Sequence, residues 1–248
     1  ILNKKVHWYN SIGEKTAIYN YKTISNKIGV GLIIGKNCGI EIGLQNETAY
    51  LNPELENNNI TSYSKQKTKG SILNIDYDSR DDALLTKDGT LIKIDFQNST
   101  FNQKKYQSIK FDFDIYKTIY KNTIRINALY RNIGFGAPIH NYIYQGKIDR
   151  TTGYLPFVLN SNKLGMAGFE WIYHYKEMHY KIFFNQIFNL ENNEEDIQIE
   201  NLQNCFGLGV TFTSPFGPIE LIWGYGPKNH LTNDKKYTVF AIDVGYKF

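Results

Sequence analysis

The stretch that decides the fold is residues 237–248, which read YTVFAIDVGYKF and close the chain. Every second position carries a Thr, an aliphatic or an aromatic side chain: Thr238, Phe240, Ile242, Val244, Tyr246 and Phe248. The positions between them are mostly small or charged. Successive side chains of a β-strand point to opposite faces. The stretch therefore predicts a strand with one face toward lipid and the other toward a polar lumen.

The same two-residue period recurs along most of the chain. It is plain in 109–115, 169–175 and 206–213, where aromatic and aliphatic residues alternate with Gly, Thr and charged residues. We predict an all-β fold, a transmembrane antiparallel β-barrel of about 12 strands, since an even number returns both termini to the periplasmic side. The strands are expected at 15–24, 28–36, 39–51, 71–79, 89–97, 104–116, 122–131, 167–176, 179–189, 203–213, 218–225 and 236–248.

Composition agrees with a barrel and excludes other classes. Aromatic residues make up 15% of the 248 residues, yet the mean hydropathy is only -0.42. A helical membrane protein needs runs of about 20 apolar residues, and the sequence has none. A barrel tolerates low hydropathy because only alternate strand residues meet lipid. The net charge of +4 is too small to indicate nucleic acid as a partner.

The polar stretches 52–68 and 191–202 are expected to be surface loops, and 132–164 is the longest gap between predicted strands. We divide the chain into an N-terminal lead-in, 1–14, and an outer-membrane barrel, 15–248, with the long loop 132–164. Trp8, Tyr9 and neighbouring lysines in the lead-in leave three interpretations open: an extra half-strand, an amphipathic helix in the membrane interface, or a disordered segment.

Three segments together resemble the BamA/TpsB superfamily, the bacterial surface antigens. They are the Asp-Ser-Arg-Asp and Lys-Asp-Gly-Thr sequences within 74–90, the Ser-Pro-Phe-Gly-Pro turn within 207–219, and the final strand ending in Phe248. The resemblance implies a structural motif near the periplasmic rim and a C-terminal assembly signal at Phe248. The motif residues are Asp78, Arg80, Asp81, Gly89, Ser214, Pro215, Gly217 and Pro218.

In that superfamily a long loop folds back into the lumen, and an Arg-Gly-aromatic tip contacts acidic residues of the wall. Here Gly153 and Tyr154 match the tip, while Thr152 stands at the arginine position. The resemblance implies a weakened lumen loop lock formed by Arg150, Thr152, Gly153 and Tyr154 with Glu170 and Asn185. The alternative is that Glu170 only solvates the lumen and Arg150 is a loop charge.

The sequence differs from typical members of the superfamily in length and in domain content. Typical members have sixteen strands and N-terminal POTRA domains, whereas about twelve strands and no POTRA-like pattern are found here. Counted from the C-terminus, the resemblance implies that the first four strands of such a barrel have no counterpart in these 248 residues. The closest barrels in general appearance are those of patatin-like autotransporters, although no Gly-x-Ser-x-Gly nucleophile motif occurs.

No catalytic or metal-binding set is visible in the sequence. The five histidines are scattered, and Cys38 and Cys205 are expected to be isolated thiols. The glycines of 29–43 alternate with aliphatic residues and no Gly-Lys-Ser/Thr follows them, so they indicate a strand and not a phosphate loop. We expect no enzyme activity, no cofactor and no metal.

The resemblance, without a catalytic set, implies a role in outer-membrane biogenesis through local perturbation of the bilayer, easing lipid movement or protein insertion. The expected partners are membrane lipids, the outer-membrane assembly machinery during insertion of the barrel, and a second copy in a homodimer. The expected location is the outer membrane of a Gram-negative-type bacterium, as a multi-pass barrel. Two alternatives stay open: a passive outer-membrane channel, and a translocator for an N-terminal passenger.

Overall fold

The structure is a computed structural model, and it describes residues 2–9, 15–55, 64–83, 85–134, 136–138, 141, 143–145, 159–161, 163–190, 202–215, 217–226 and 238–244. Strands account for nearly all of these residues. No helix among them is long and apolar enough to cross a membrane.

Twelve strands form one antiparallel sheet, in which neighbours in the chain are neighbours in the sheet. A separate two-stranded hairpin, β8 with β9, lies in the connection between β7 and β10. The strand bounds are β1 Leu2–Tyr9, β2 Lys15–Ile34, β3 Cys38–Leu55, β4 Ser64–Asp78, β5 Gly89–Phe101, β6 Lys104–Ile119, β7 Asn122–Ile133, β8 Ile143–Gln145, β9 Leu159–Ser161, β10 Lys163–Tyr175, β11 Met178–Leu190, β12 Leu202–Ser214, β13 Gly217–Tyr225 and β14 Thr238–Val244.

The all-β class and the number of strands in the main sheet agree with the sequence prediction, but two boundaries were wrong. The strands predicted at 15–24 and 28–36 are one strand, β2, because the polar residues between them continue its alternation. Residues Leu2–Tyr9 of the lead-in form β1, which pairs with β2, so this segment is the half-strand and not the interfacial helix. The predicted count of twelve is still met, because β1 adds one strand where β2 merges two.

The two ends of the sheet differ. Turns of two or three residues at 35–37, 120–121 and 176–177 lie at one end, here called the turn end, together with the β4–β5 connection, residues 79–88. The connections β3–β4, β7–β10, β11–β12 and β13–β14 leave from the other end, the loop end. The sheet curls around an interior space, since one cavity is lined by strands from β5 to β14. Among the described residues no pairing joins β1 to β14.

On β7 to β12 the inner face is apolar toward the loop end and charged toward the turn end, whereas on β2 to β6 it is largely polar. A buried cluster from β6, β7, β10, β11 and β12 covers the inner wall of these strands toward the loop end: Tyr106, Leu129, Ile133, Leu164, Met166, Ile187 and Cys205. Cys205 is fully buried there and both cysteines are free thiols, as predicted. Burying this cluster fixes which face of each strand points inward.

Candidate functional site

The inner wall near the turn end carries a row of charges of alternating sign that extends over six adjacent strands of the sheet, from β6 to β13. We call it the lumen charge ladder, and its members, in order around the wall, are Asp114, Arg125, Glu170, Lys181 and Glu220. All lie on inward positions of β6, β7, β10, β11 and β13.

Arg125 is the centre of this ladder. Its Nη2 lies 2.7 Å from Asp114 Oδ1 and its Nη1 lies 2.8 Å from Glu170 Oε2. The register places Glu170 directly opposite Arg125 on the next strand. The forked guanidinium therefore binds one carboxylate with each of its two terminal nitrogens. A lysine side chain has a single nitrogen and could not reach both carboxylates at these distances.

Lys181 continues the ladder from Glu170 to Glu220. Its Nζ lies 3.7 Å from Glu170 Oε1 and also forms an ion pair with Glu220. Glu220 is on β13, so the lysine side chain must cross β12. Gly209 is the residue that it crosses, and a Cβ built there would stand 2.7 Å from Lys181 Cγ. The glycine thus gives the lysine stem the space to reach the far strand.

A cavity of about 470 Å³ lies inside this wall. Its lining includes four ladder residues, and the β4–β5 connection contributes Arg80, Leu85 and Thr86. The connection is tied to the end of β6: Thr118 Oγ1 donates to the Lys87 carbonyl at 2.7 Å. The connection therefore lies across the turn end of the lumen and narrows it.

The sequence-predicted motif residues of this connection hold its shape. Arg80 donates from Nε and Nη2 to the two carboxylate oxygens of Asp78, at 2.9 and 2.8 Å. These hydrogen bonds raise the pKa of Arg80, which lies outside the strands. Gly89 has a φ of +120°, and a Cβ there would lie 2.4 Å from the Ser79 carbonyl oxygen, so only glycine fits.

Asp81 organises the same connection through the backbone. Its Oδ1 accepts from the N–H groups of Asp82, Lys87 and Asp88 at 3.0, 2.9 and 3.2 Å. Desolvation raises the pKa of the Asp81 carboxyl, but these three donors outweigh it and leave the pKa below its usual value.

The second motif forms the tight β12–β13 turn. Ser214 Oγ donates to the Gly217 carbonyl at 2.6 Å, and Gly217 has a φ of +102°. Pro218 pairs in register with Thr213, and Pro215 lies within the turn. A proline at the start of β13 is tolerated because this position needs no N–H for the ladder.

The predicted loop lock is only partly within the described residues. Arg150, Thr152, Gly153, Tyr154 and the C-terminal Phe248 lie outside them. Glu170 and Asn185 both face the lumen on adjacent strands, and both are buried. The wall residues Arg125 and Lys181 already contact Glu170. Sequence reasoning missed both, although their inward phase in alternating strands was a usable signal.

The two histidines of the β10–β11 hairpin belong to a directed hydrogen-bond chain. The Lys87 carbonyl can only accept, so Thr118 donates to it and accepts from Thr123 at 2.7 Å. Thr123 then accepts from His174 Nε2 at 2.6 Å, and His174 Nδ1 accepts from His179 Nδ1 at 2.6 Å. Within the described part of the chain no group of three His, Cys, Asp or Glu side chains could hold a metal ion.

The outer face carries a continuous belt of aliphatic and aromatic residues next to the turn end. The register joins it from strand to strand; for example, Phe184 lies opposite Phe169 on one side and Phe206 on the other. On β10 it comprises five outward residues, Ala167, Phe169, Trp171, Tyr173 and Tyr175. Eight residue steps at ~3.3 Å span about 26 Å along the strand, or about 20 Å across the membrane at a tilt of about 40°.

The belt is much narrower on β4 and β5. Only Leu73, Ile75 and Tyr77 on β4, and Ile92, Ile94 and Phe96 on β5, belong to it. Four residue steps span about 13 Å along the strand, or about 10 Å across the membrane. Toward the loop end the belt stops at Ser71 and Asn98, which are cross-strand partners and exposed. Bacterial outer-membrane barrels carry an apolar band of about 25 Å, so this side is short.

Comparison with known proteins agrees with this architecture. The Omp85 superfamily domain matches residues 3–248. No match was found among curated protein sequences.

Two solved structures share the fold. One is BamA from Haemophilus ducreyi lacking POTRA domains 1-3, with a TM-score of 0.74 and 12% identity over 97% of this chain. The other is CdiB from Acinetobacter baumannii, with a TM-score of 0.63 and 13% identity over 93% of this chain. The chain spans 57% and 43% of those two chains, respectively. The predicted BamA/TpsB-type barrel is confirmed: the chain is an outer-membrane β-barrel that belongs to the Omp85 superfamily.

Proposed function

We propose that this barrel serves outer-membrane biogenesis by thinning and disordering the bilayer beside β4 and β5, which eases lipid movement or the insertion of other proteins. The observation that carries the proposal is the narrow apolar belt on these two strands. A bilayer that meets a short belt must thin locally or expose hydrocarbon to polar side chains. The disturbed lipid beside the protein then has a lower barrier to reorientation and to insertion.

The asymmetry of the belt supports a local effect. The belt is about twice as high on β10 as on β4 and β5, so one side of the barrel matches a bilayer far better than the other. The relation to BamA and CdiB fits a role in protein insertion or translocation. The proposed arrangement is a multi-pass barrel in a Gram-negative-type outer membrane, with the turn end periplasmic and the loop end at the cell surface.

The test is lipid movement in proteoliposomes. Fluorescent lipid in the inner leaflet is followed while an impermeant reductant quenches the outer leaflet, and ion conductance is recorded on the same preparation. Protein-dependent loss of the inner-leaflet signal without matching conductance is expected. Steady conductance without lipid movement would contradict the proposal and favour a passive channel. Silence in both would favour a translocator.

A pair of variants separates belt height from other causes. Ser71→Leu with Asn98→Leu adds one row to the narrow side, about 5 Å across the membrane. At a few tenths of a kcal/mol per Å of mismatch this removes about 1–2 kcal/mol of bilayer deformation. We expect lipid movement to slow at least about fivefold.

The matched control lies on the wide side. Gln186 and Asn204 are also cross-strand partners and end the belt on β11 and β12 toward the loop end, and Gln186 Nε2 donates to Asn204 Oδ1 at 3.2 Å. Replacing both with Leu is expected to change the rate little. Equal slowing by both double variants would show that the narrow side has no special role.

A further inference from the structure

A strip of lysines lies on the outer face directly above the narrow part of the belt, toward the loop end. We call it the lysine strip, and its members are Lys22, Lys65, Lys67, Lys69 and Lys105. All five are exposed. Their inward neighbours in sequence, Thr23, Thr68 and Tyr106, are buried in the lumen, so the lysines face outward.

The strand register brings these lysines onto one surface. Lys69 lies in one row with Thr100 of β5 and then Lys105 of β6. Tyr50 of β3 stands between Lys22 and Lys65 in another row, and Lys65 Nζ lies 5.5 Å from its ring centroid. Along β4 the three lysines are spaced about 6.6 Å apart, and neighbouring strands are about 4.8 Å apart.

The charge on this surface is of one sign. Between the Ser71–Asn98 row and the row of Lys22, Tyr50 and Lys65, the outward positions of β2 to β6 hold Asn, Thr, Ser, Gln, Tyr and one Ile beside the lysines, and no Asp or Glu. Glu47 of β3, which lies within this range of rows, faces the lumen with the polar inner wall. No ion pair among the described residues includes a lysine of the strip. Within the part of the chain that the structure describes, these five ammonium groups thus have no carboxylate partner.

From this position we propose that the lysine strip binds the phosphate groups of anionic lipids in the loop-side leaflet. The strip begins at the height where the apolar belt ends, which is the level of the lipid headgroups. A basic group near an anionic membrane surface attracts phosphate-bearing lipid, and the attraction increases with each further Lys or Arg. A lipid bound here has its headgroup on the strip and its acyl chains against the narrow belt.

The inference deepens the proposed function by naming the lipid class, and it rests on that function only for the placement of the β4–β5 side in the membrane. Phosphate-bearing lipids would be concentrated where the bilayer is thinned. Binding and movement are separate measurements, so either can fail alone.

The experiment is a titration of the detergent-solubilised protein with dioleoylphosphatidic acid, in which native mass spectrometry counts the bound lipid. Dioleoylphosphatidylcholine and inorganic phosphate are titrated in parallel. We expect retention of phosphatidic acid over phosphatidylcholine, and binding at least tenfold weaker for the triple variant Lys65→Gln, Lys67→Gln and Lys69→Gln. Inorganic phosphate at equal concentration is expected not to displace the lipid.

The control variant is Lys36→Gln, Lys121→Gln and Lys176→Gln, which removes the same charge from exposed turn-end positions. Less than a twofold effect is expected from it. If both variants weakened lipid binding equally, the effect would be one of net charge alone. If neither weakened it, the proposal that the lysine strip binds lipid would be wrong. If inorganic phosphate displaced the lipid, the strip would be a general anion-binding site and not a lipid-binding site. Lipid movement that persists while binding is lost would leave the proposed function standing without the strip.

Discussion

The lumen charge ladder makes a quantitative prediction at Arg125. The side chains of Asp114 and Glu170 are only 3% and 8% exposed, and Arg125 serves both. Arg125→Leu leaves two carboxylates facing each other around an apolar side chain. Removing one partner of a buried ion pair costs about 3–5 kcal/mol, because the remaining charge is left desolvated.

The expected loss is near the lower end of that range. Lys181 still approaches Glu170, and Asp114 keeps other polar interactions. We therefore expect Arg125→Leu to lower the free energy of unfolding by about 3 kcal/mol. Arg125→Lys keeps the charge but loses the fork, and is expected to cost less.

The assay is urea unfolding of the barrel refolded in detergent, followed by the fluorescence of Trp171 and Trp223 on the outer belt. The control is Lys117→Leu, whose ion pair with Asp88 at 3.0 Å is exposed at 75% and 47%. Such a surface pair contributes about 0–1 kcal/mol. Adding Glu170→Gln to Arg125→Leu should restore part of the loss. If Arg125→Leu lowered the free energy of unfolding by less than about 1 kcal/mol, the charges of the ladder would not be buried and mutually dependent as proposed.

Three other predictions concern the wall, the β4–β5 connection and the loop. Gly209→Val should lower the free energy of unfolding by about 1–3 kcal/mol in the same assay, since the new methyl groups occupy the path of the Lys181 side chain. An unchanged urea midpoint would show that this side chain does not pass over Gly209. Because the pKa of Asp81 is lower in the folded state, its hydrogen bonds should be complete above about pH 4 and lost as the pH falls through the folded pKa. Hydrogen exchange at the amides of the connection should show this loss, and Asp81→Ala should remove the pH dependence. Finally, Tyr154→Cys should form a disulfide with the inward Cys205 under mild oxidation if the loop enters the lumen, and Cys205→Ser should prevent it; a free thiol at 154 would place the loop elsewhere.

Alternation was enough to predict the fold class and the outward face of most strands. Residues such as Phe206, Leu208 and Val210 face outward as predicted, because a strand has only two faces and only one can meet lipid. The Asp-Ser-Arg-Asp and Ser-Pro-Phe-Gly-Pro segments were also placed correctly at strand ends, since their geometry is set within a few residues. Local rules failed where polar residues interrupt a long strand, as in β2.

The contacts between strands depend on register, which the sequence alone did not give. The sequence shows that Arg125 and Glu170 face inward, but 45 positions separate them, and a shift of two residues in pairing would part them without exposing either face. The height of the belt beside β4 and β5 depends on the same alignment of Ser71 with Asn98. The sequence by itself therefore determined which side of each strand meets lipid. Only the tertiary structure decided which charges meet along the inner wall and where the apolar belt is narrow, because both depend on pairings between strands that no local pattern encodes.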